Sequence, residues 1–122
     1  ICSGLVGSEM CIRDRLESAP ATLDLLKIIR GEIGNNCQIL FDSGIRTGED
    51  IVKAYSLGAD FVFLGRPVLF ASALGKKEYI IHLIKLLGKQ IDSTLAQLGK
   101  TSIDSLTKDV IFGYDTYNYR DN

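Results

Sequence analysis

Two short loops of this 122-residue chain carry the residue types that bind a phosphate group. The first loop covers residues 42–48 (Asp-Ser-Gly-Ile-Arg-Thr-Gly), and the second covers residues 65–67 (Gly-Arg-Pro). Gly44 lets backbone N–H groups approach an anion closely, and Arg46 and Arg66 can each offer forked donors to phosphate oxygens. Taken singly, a glycine could serve a turn and an arginine could pair with a surface carboxylate. The paired arrangement favours a phosphate site, because independent requirements coincide.

The elements that must position these loops are two buried strands. Short apolar runs at residues 37–41 and 61–64 precede the loops and show little alternation, as in a parallel sheet covered by helices. The stretch between them is long enough for a right-handed crossover with one helix. Both loops would then lie at the carboxyl ends of parallel strands, where α/β folds place their ligands. A helix that starts near Pro67 adds a positive dipole there.

Helical patterns occupy most of the remaining chain. The capping-box form of residues 47–50 starts one helix, and Gly34 and Gly58 are natural helix stops. The predicted helices cover residues 20–33, 47–57, 68–74 and 77–98, with a short last one capped by residues 101–104. The apolar positions expected to face the core are Leu25, Leu26, Ile29 and Ile33 in the first helix, Ile51, Val52 and Tyr55 in the second, and Ile80, Ile84, Leu87, Ile91, Leu95 and Leu98 in the long one.

Composition excludes several classes of function. The chain has 14 basic and 15 acidic residues, so it has no excess positive charge with which to bind nucleic acid. We expect no membrane span and no secretory signal. The three cysteines show no metal-ligand spacing, and their usage indicates a reducing compartment, so we expect a cytoplasmic protein without a metal site. His82, the only histidine, lies opposite the apolar stripe of the long helix and is expected to face solvent.

The chain contains two βα units, and two strands with exposed parallel edges cannot bury themselves. The sequence therefore predicts an α/β chain that is the end part of a larger parallel fold.

Several segments resemble one family of flavin enzymes. Residues 42–50, 57–60 (Leu-Gly-Ala-Asp) and 65–67 are similar to the C-terminal part of the FMN-dependent L-2-hydroxy-acid oxidase and dehydrogenase family, which includes glycolate oxidase, lactate oxidase and flavin lactate dehydrogenase. Residues 18–22 (Ser-Ala-Pro-Ala-Thr) also match and separate this family from other phosphate-binding flavin barrels. The loops alone also resemble those of IMP dehydrogenase, glutamate synthase and type 2 isopentenyl-diphosphate isomerase. The similarity covers residues 16–106.

The resemblance implies the last two βα units and the C-terminal helices of a TIM (β/α)8 barrel, with FMN at its C-terminal mouth. Gly44, Arg46, Gly65 and Arg66 would hold the FMN phosphate, and Asp42 would orient the loop or reach the ribityl chain. The complete protein, expected to be a homo-oligomer, would oxidise a small L-2-hydroxy acid such as lactate or glycolate to the 2-oxo acid by transfer to flavin N5.

The chain departs from the family where the catalytic residues should lie. In the family a histidine removes the substrate proton and an arginine binds the substrate carboxylate, both within a Ser-Asn-His-Gly-Gly-Arg-Gln-Leu-Asp segment. Aligning residues 16–17 with the last two residues of that segment places Cys11 and Asp14 at the two positions. A one-residue slip could bring Arg13 or Arg15 near the arginine position, but no slip supplies a histidine. We therefore predict no catalytic residue in this chain, and no activity for the chain alone.

Residues 1–15 need a separate explanation, because they have no clean period and no family resemblance. Residues 10–15 look like a translated sequencing-adapter or assembly-junction fragment; a diverged, non-catalytic FMN-binding family member is the alternative. Another phosphate-binding barrel, related to IMP dehydrogenase or type 2 isopentenyl-diphosphate isomerase, also stays open. The predicted organisation is a non-native junction segment over 1–15, the C-terminal portion of a hydroxy-acid dehydrogenase domain over 16–106 and a polar tail over 107–122.

Overall fold

A computed structural model of the chain describes residues 21–111. Within that range the helices and strands alternate in the order that the sequence predicts. Pro20, the first residue of the first predicted helix, lies outside the described residues. The elements are α1 (Thr22–Ile33), β1 (Leu40–Phe41), α2 (Gly48–Ser56), β2 (Phe61–Val62), α3 (Arg66–Ala73) and α4 (Lys77–Gln97), followed by short 3-10 turns at Ile103–Ser105 and Lys108–Val110.

The two strands pair in parallel, and α2 forms the crossover between them. Leu40 lies opposite Phe61 and Phe41 lies opposite Val62. Both strands are shorter than the apolar runs that predicted them, so the expectation of strands over 37–41 and 61–64 is wrong in length. The pairing ends before Leu40 because the N–H of Ile39 donates to the Oδ2 of Asp60 at 2.7 Å, although the Ile39 carbonyl oxygen still accepts from the backbone amides of Asp60 and Phe61.

A small core lies between one face of the sheet and the helices α1 and α2. Its buried members are Leu26, Phe41, Ile45, Ile51, Ala54 and Ala59. The predicted inward face of α2 is confirmed, since Ile51 and Val52 are buried and Tyr55 packs against the core. The predicted face of α1 is only partly right, because Leu26 is buried while Leu25 and Ile29 are exposed. Leu25 and Ile29 therefore lie outside the core that Leu26 enters.

The apolar stripe of α4 is buried only in its C-terminal half. Leu87 and Leu95 are buried where α4 packs against α2, but Ile84 is 64% exposed, so the prediction of one continuous buried stripe is wrong. The first turns of α4 pack against the short α3, which is too small to cover them. His82 is exposed, as predicted. The polar tail predicted from residue 107 begins with the turn Lys108–Val110, which contacts α2.

Arg30 contacts the ends of several elements near the amino ends of the strands, opposite the two loops. Its Nε donates to the carbonyl oxygen of Gly58 at 2.8 Å, and its Nη1 donates to the carbonyl oxygen of Gly34 at 2.8 Å. It also pairs with Asp60. The N–H of Ile39 and the guanidinium of Arg30 together hold the pKa of the Asp60 carboxyl below its usual value. One side chain therefore links α1 to the segment that enters β2.

Gly48 allows α2 and α4 to approach closely. A Cβ atom at this position would lie 2.5 Å from the Cβ of Gln90 and 2.8 Å from both the amide nitrogen of Ile91 and the carbonyl oxygen of Leu87. The Gly48 N–H donates to the Gln90 Oε1 at 2.8 Å. Backbone atoms on the opposing helix cannot move as a flexible side chain could, so the contact requires glycine.

We expect Gly48→Ala to lower the free energy of unfolding by about 2 kcal/mol, because the added methyl group forces the two helices apart. Gly88→Ala is the matched control, since nothing lies within 4 Å of a Cβ atom there. It should raise the free energy of unfolding by up to about 1 kcal/mol through helix propensity. Urea unfolding followed by circular dichroism measures both. Equal effects of the two substitutions would contradict the close helix contact.

Candidate functional site

A cavity of about 250 Å³ lies at the carboxyl ends of both strands. Three segments line it: the loop after β1, the loop after β2 and the start of α1. All five residues singled out by the sequence lie in this lining, namely Asp42, Gly44, Arg46, Gly65 and Arg66. The structure thus brings together two loops that are about twenty residues apart in the chain.

The lining also contains residues that sequence reasoning did not assign to the site. These are Ala21, Thr22, Leu23, Ser43, Ile45 and Phe63. Ala21, Thr22 and Leu23 could have been predicted, because a helix in a βα unit begins at the edge of the sheet where the strands end. The start of α1 should therefore lie beside the loops that follow β1 and β2.

The first loop takes a sharp left-handed turn. Ser43 has a φ of 98° and Gly44 has a φ of 79°. Glycine adopts such angles freely, whereas a serine in this region is strained. The Oδ1 of Asp42 accepts a hydrogen bond from the Ser43 N–H at 2.8 Å and so stabilises the turn.

The end of the first loop is fixed by the cap of α2. The predicted capping box is confirmed: the Thr47 side chain accepts from the Asp50 N–H, and Asp50 Oδ2 accepts from the Thr47 N–H at 3.0 Å. Asp50 Oδ2 also accepts from the Arg46 N–H at 3.0 Å. Within residues 21–111 the amides of Gly44 and Ile45 have no protein acceptor, so both can donate to a bound anion.

The side chain of Ile45 anchors the loop, because it is only 4% exposed and belongs to the core. The residues on either side of it, Gly44 and Arg46, are exposed. The backbone of the loop is therefore held by a buried side chain while its neighbours remain accessible to a ligand. Such an anchor reduces the conformational entropy that a ligand would have to remove on binding.

The second loop forms the start of α3. Gly65 is the residue before the helix, and no side chain caps it. Its carbonyl oxygen accepts from the amides of Val68 at 3.0 Å and Leu69 at 3.2 Å, so the helix begins directly at the cavity wall. Arg66 is half-buried in the first turn, followed by Pro67. The helix dipole and the guanidinium both favour an anion at this wall.

The charges of the lining suit a phosphate group. It contains two guanidinium groups and one carboxylate, and it contains no histidine or cysteine. The described site can therefore bind and orient an anion, but it offers no imidazole that could act as a general base. Cys11 and Asp14, aligned with the family's catalytic positions, lie outside the described residues.

Two further sequence expectations concern features elsewhere in the chain. None of the helices within residues 21–111 is both long and apolar enough to cross a membrane. In the same range, no three histidine, cysteine or carboxylate side chains cluster as a metal ion would require.

Comparison with known proteins identifies the family. A family model described as FMN-dependent dehydrogenase matches residues 14–112. An L-lactate oxidase from a Nostoc species is 37% identical over 92 residues, which are 75% of this chain and 25% of the relative. Glycolate oxidase 2 from Oryza sativa subsp. indica is 35% identical over 94 residues, which are 77% of this chain and 26% of the relative.

Solved structures give the same answer at the level of the fold. A flavocytochrome b2 variant with sulfite bound has a TM-score of 0.72 at 30% identity, over 78% of this chain and 26% of that chain. A mandelate oxidase variant with a monooxide FMN adduct has a TM-score of 0.68 at 32% identity, over 74% of this chain and 29% of that chain. These neighbours are TIM-barrel flavoenzymes, and the chain is a small, helix-rich piece of that kind of fold.

The chain belongs to the FMN-dependent dehydrogenase family, whose members are FMN-dependent alpha-hydroxy acid oxidases and dehydrogenases. The predicted family is confirmed, and the predicted enzyme class and FMN cofactor are those of its members. The chain spans about a quarter of the length of the curated relatives that it matches.

The hydrogen bonds to Asp50 predict a pH dependence. Partial burial raises the pKa of this carboxyl, but the bonds from Arg46 and Thr47, with the charge of Lys53, outweigh burial and hold the pKa below its usual value. A depressed folded-state pKa contributes stability above the unfolded-state value, and this contribution is lost as the pH falls through the folded-state value.

We therefore expect Asp50→Asn to lower the unfolding free energy at neutral pH, where the carboxylate bonds are fully formed. The difference in unfolding free energy between the parent chain and the variant should decrease below about pH 4. Urea unfolding across a pH series measures this difference. A difference that stays constant down to pH 2 would contradict the role assigned to the Asp50 carboxylate.

Proposed function

We propose that this chain holds the phosphate end of FMN between its two loops, as the last two βα units of a TIM (β/α)8 barrel. The complete protein would oxidise a small L-2-hydroxy acid to the 2-oxo acid. The observation that carries the proposal is that Asp42, Gly44, Arg46, Gly65 and Arg66 line one cavity at the carboxyl ends of two parallel strands.

The donors of the cavity fit a phosphate dianion. Arg46 and Arg66 supply two positive charges, and the amides of Gly44 and Ile45 supply two further donors. Asp42, whose Oδ1 binds the Ser43 amide, orients the loop, and its second oxygen can accept from a ribityl hydroxyl. At about 250 Å³ the cavity is smaller than the ~300–1,000 Å³ of typical ligand pockets, so it suits one end of FMN rather than the whole cofactor.

The uncovered face of the sheet supports the barrel part of the proposal. Leu40 and Phe61 are 62% and 51% exposed, lie opposite each other and so share the face away from the core. Phe63, two residues after Phe61, is also exposed and packs edge-to-face against it with ring centroids 5.2 Å apart. In a closed parallel barrel, apolar side chains on this face fill the interior.

The catalytic part of the proposal belongs to the complete protein. FMN supplies the redox chemistry when bound, by accepting a hydride equivalent from the 2-hydroxy acid. The described residues of this chain would bind and orient its phosphate end, and their cavity lining contains no imidazole that could remove the substrate proton. The same proposal includes a homo-oligomeric state and a cytoplasmic location for the complete protein. It also assigns residues 1–15 to a junction segment, residues 16–106 to a portion of the domain and residues 107–122 to a tail.

A non-catalytic FMN-binding remnant is the second candidate, favoured by the alignment of Cys11 and Asp14 with the family's catalytic positions. The two candidates differ in the sequence that the gene encodes before Leu16. A His-Gly-Gly-Arg segment there supports the enzyme, whereas a continuous reading frame without that segment supports the remnant.

The phosphate site is tested by comparing FMN with riboflavin, which lacks only the phosphate. The chain should bind FMN more tightly, and the Arg46→Ala, Arg66→Ala double variant should lose this preference. The expected loss is on the order of tenfold for each arginine, because hydrogen bonds to charged groups contribute about 1.5–3 kcal/mol. Flavin fluorescence titration measures both dissociation constants.

Lys85→Ala is the matched control for that titration, since it removes an exposed positive charge on α4 away from the cavity. It should leave the FMN-to-riboflavin ratio unchanged. A double arginine variant that kept the ratio of the parent chain would overturn the proposed phosphate site.

The chain with FMN should not oxidise L-lactate or glycolate, because the described cavity lacks an imidazole base. The absorbance of oxidised flavin under anaerobic conditions measures this directly. Bleaching at a rate above that of free FMN with the same acid would show that the chain contains a catalytic base after all.

A further inference from the structure

The left-handed conformation of Ser43 requires a stabilising partner. Ser43 has a φ of 98°, and within residues 21–111 it is the one residue other than glycine with a positive φ. A residue with a Cβ atom adopts this region unfavourably, so surrounding contacts must hold the backbone there. Asp42 binds the Ser43 N–H at 2.8 Å, which fixes the peptide before Ser43.

The peptide after Ser43 is held by Thr22. The Thr22 Oγ1 donates to the carbonyl oxygen of Ser43 at 3.4 Å, across 21 positions of sequence. A Cβ atom built on Gly44 would lie 3.8 Å from the same Oγ1, so the hydroxyl sits beside the Ser43–Gly44 peptide. Thr22 also lines the cavity.

Thr22 is not needed to cap its own helix. It is the first residue of α1, the residue before it is Ala21, and no side chain caps that helix start. The described contact of the hydroxyl is therefore with the loop rather than with the start of α1.

Because the peptide is planar, the contact between Thr22 and the Ser43 carbonyl oxygen also affects the Gly44 N–H. The described peptides are trans, and in a trans peptide the carbonyl and the following N–H point in opposite directions. A partner that fixes the Ser43 carbonyl therefore also fixes the direction of the Gly44 N–H. If this peptide rotated, its carbonyl oxygen would face a bound anion in place of the N–H.

We propose that Thr22 is a positioning residue for the phosphate: its hydroxyl holds the Ser43–Gly44 peptide in the orientation that lets the Gly44 amide donate to the anion. This inference rests on the proposed FMN-phosphate site and adds to it a residue from a third segment of the chain. It assigns a physical role to the threonine of the Ser-Ala-Pro-Ala-Thr segment.

The test uses the full chain and the variants Thr22→Val and Thr22→Ser, titrated with FMN, riboflavin and inorganic phosphate. Thr22→Val, which has nearly the same shape without the hydroxyl, should weaken FMN and phosphate binding about threefold to tenfold and leave riboflavin binding unchanged. Thr22→Ser should restore most of the affinity. Thr94→Val is the matched control, because its hydroxyl bonds to the Gln90 carbonyl within α4, outside the cavity lining.

Measuring Thr22→Val again in a chain that carries Ser43→Gly distinguishes a positioning role of Thr22 from its direct contact with the ligand. Ser43→Gly removes the cost of the left-handed conformation, so the loss caused by Thr22→Val should shrink to less than half of its value in the Ser43 chain. An equal loss in both backgrounds would mean that Thr22 touches the ligand itself and would overturn the positioning role. So would unchanged affinity in Thr22→Val, or equal losses for FMN and riboflavin.

Failure of the proposed function gives a different result. If the parent chain binds riboflavin as tightly as FMN and does not bind inorganic phosphate, the phosphate site itself is wrong. If the parent chain discriminates between the two flavins and Thr22→Val still does so equally well, only the role of Thr22 is wrong.

Discussion

The parallel pairing of β1 with β2 is the constraint on which the site depends. Two hydrogen-bonded residue pairs fix the register, and that register brings the loop after Phe41 and the loop after Phe63 to one edge of the sheet. An antiparallel pair would place the two loops at opposite ends. The arginines of the two loops line one cavity because the α2 crossover makes the strands parallel. The local sequence of either loop does not by itself specify where the other loop lies.

The opposite ends of the strands serve stability instead. There Arg30 donates to backbone carbonyls of Gly34 and Gly58 and pairs with Asp60, whose carboxylate accepts from the Ile39 amide. These bonds satisfy the carbonyl groups that follow two helices and the amide of Ile39, which the short ladder leaves without a strand partner. Binding groups at the carboxyl ends and structural contacts at the amino ends are the division expected of parallel α/β folds.

The first loop uses only part of its backbone donors within the fold. Asp50 accepts from the amides of Arg46 and Thr47 at the cap of α2, and Asp42 accepts from the amide of Ser43. The amides of Gly44 and Ile45 have no acceptor within residues 21–111, and these are the two donors that we propose for the phosphate. The strain at Ser43 is consistent with this arrangement, because left-handed residues in a protein are retained where the surrounding contacts hold them. The second loop contributes the start of α3, which no side chain caps.

Local sequence determined the order of helices and strands, the capping box of α2, the inward face of that helix and the five residues of the candidate site. Each depends on neighbours within a few positions, through helical periodicity, turn chemistry or residue type. The lengths of the strands, the exposure of Ile84 and Leu25 and the place of Thr22 beside Ser43 were decided by tertiary structure. Those features depend on which distant residues are present as partners. A strand needs a second strand to pair with, a helix face is buried only by a covering element, and a residue in a left-handed conformation needs a partner from elsewhere in the chain.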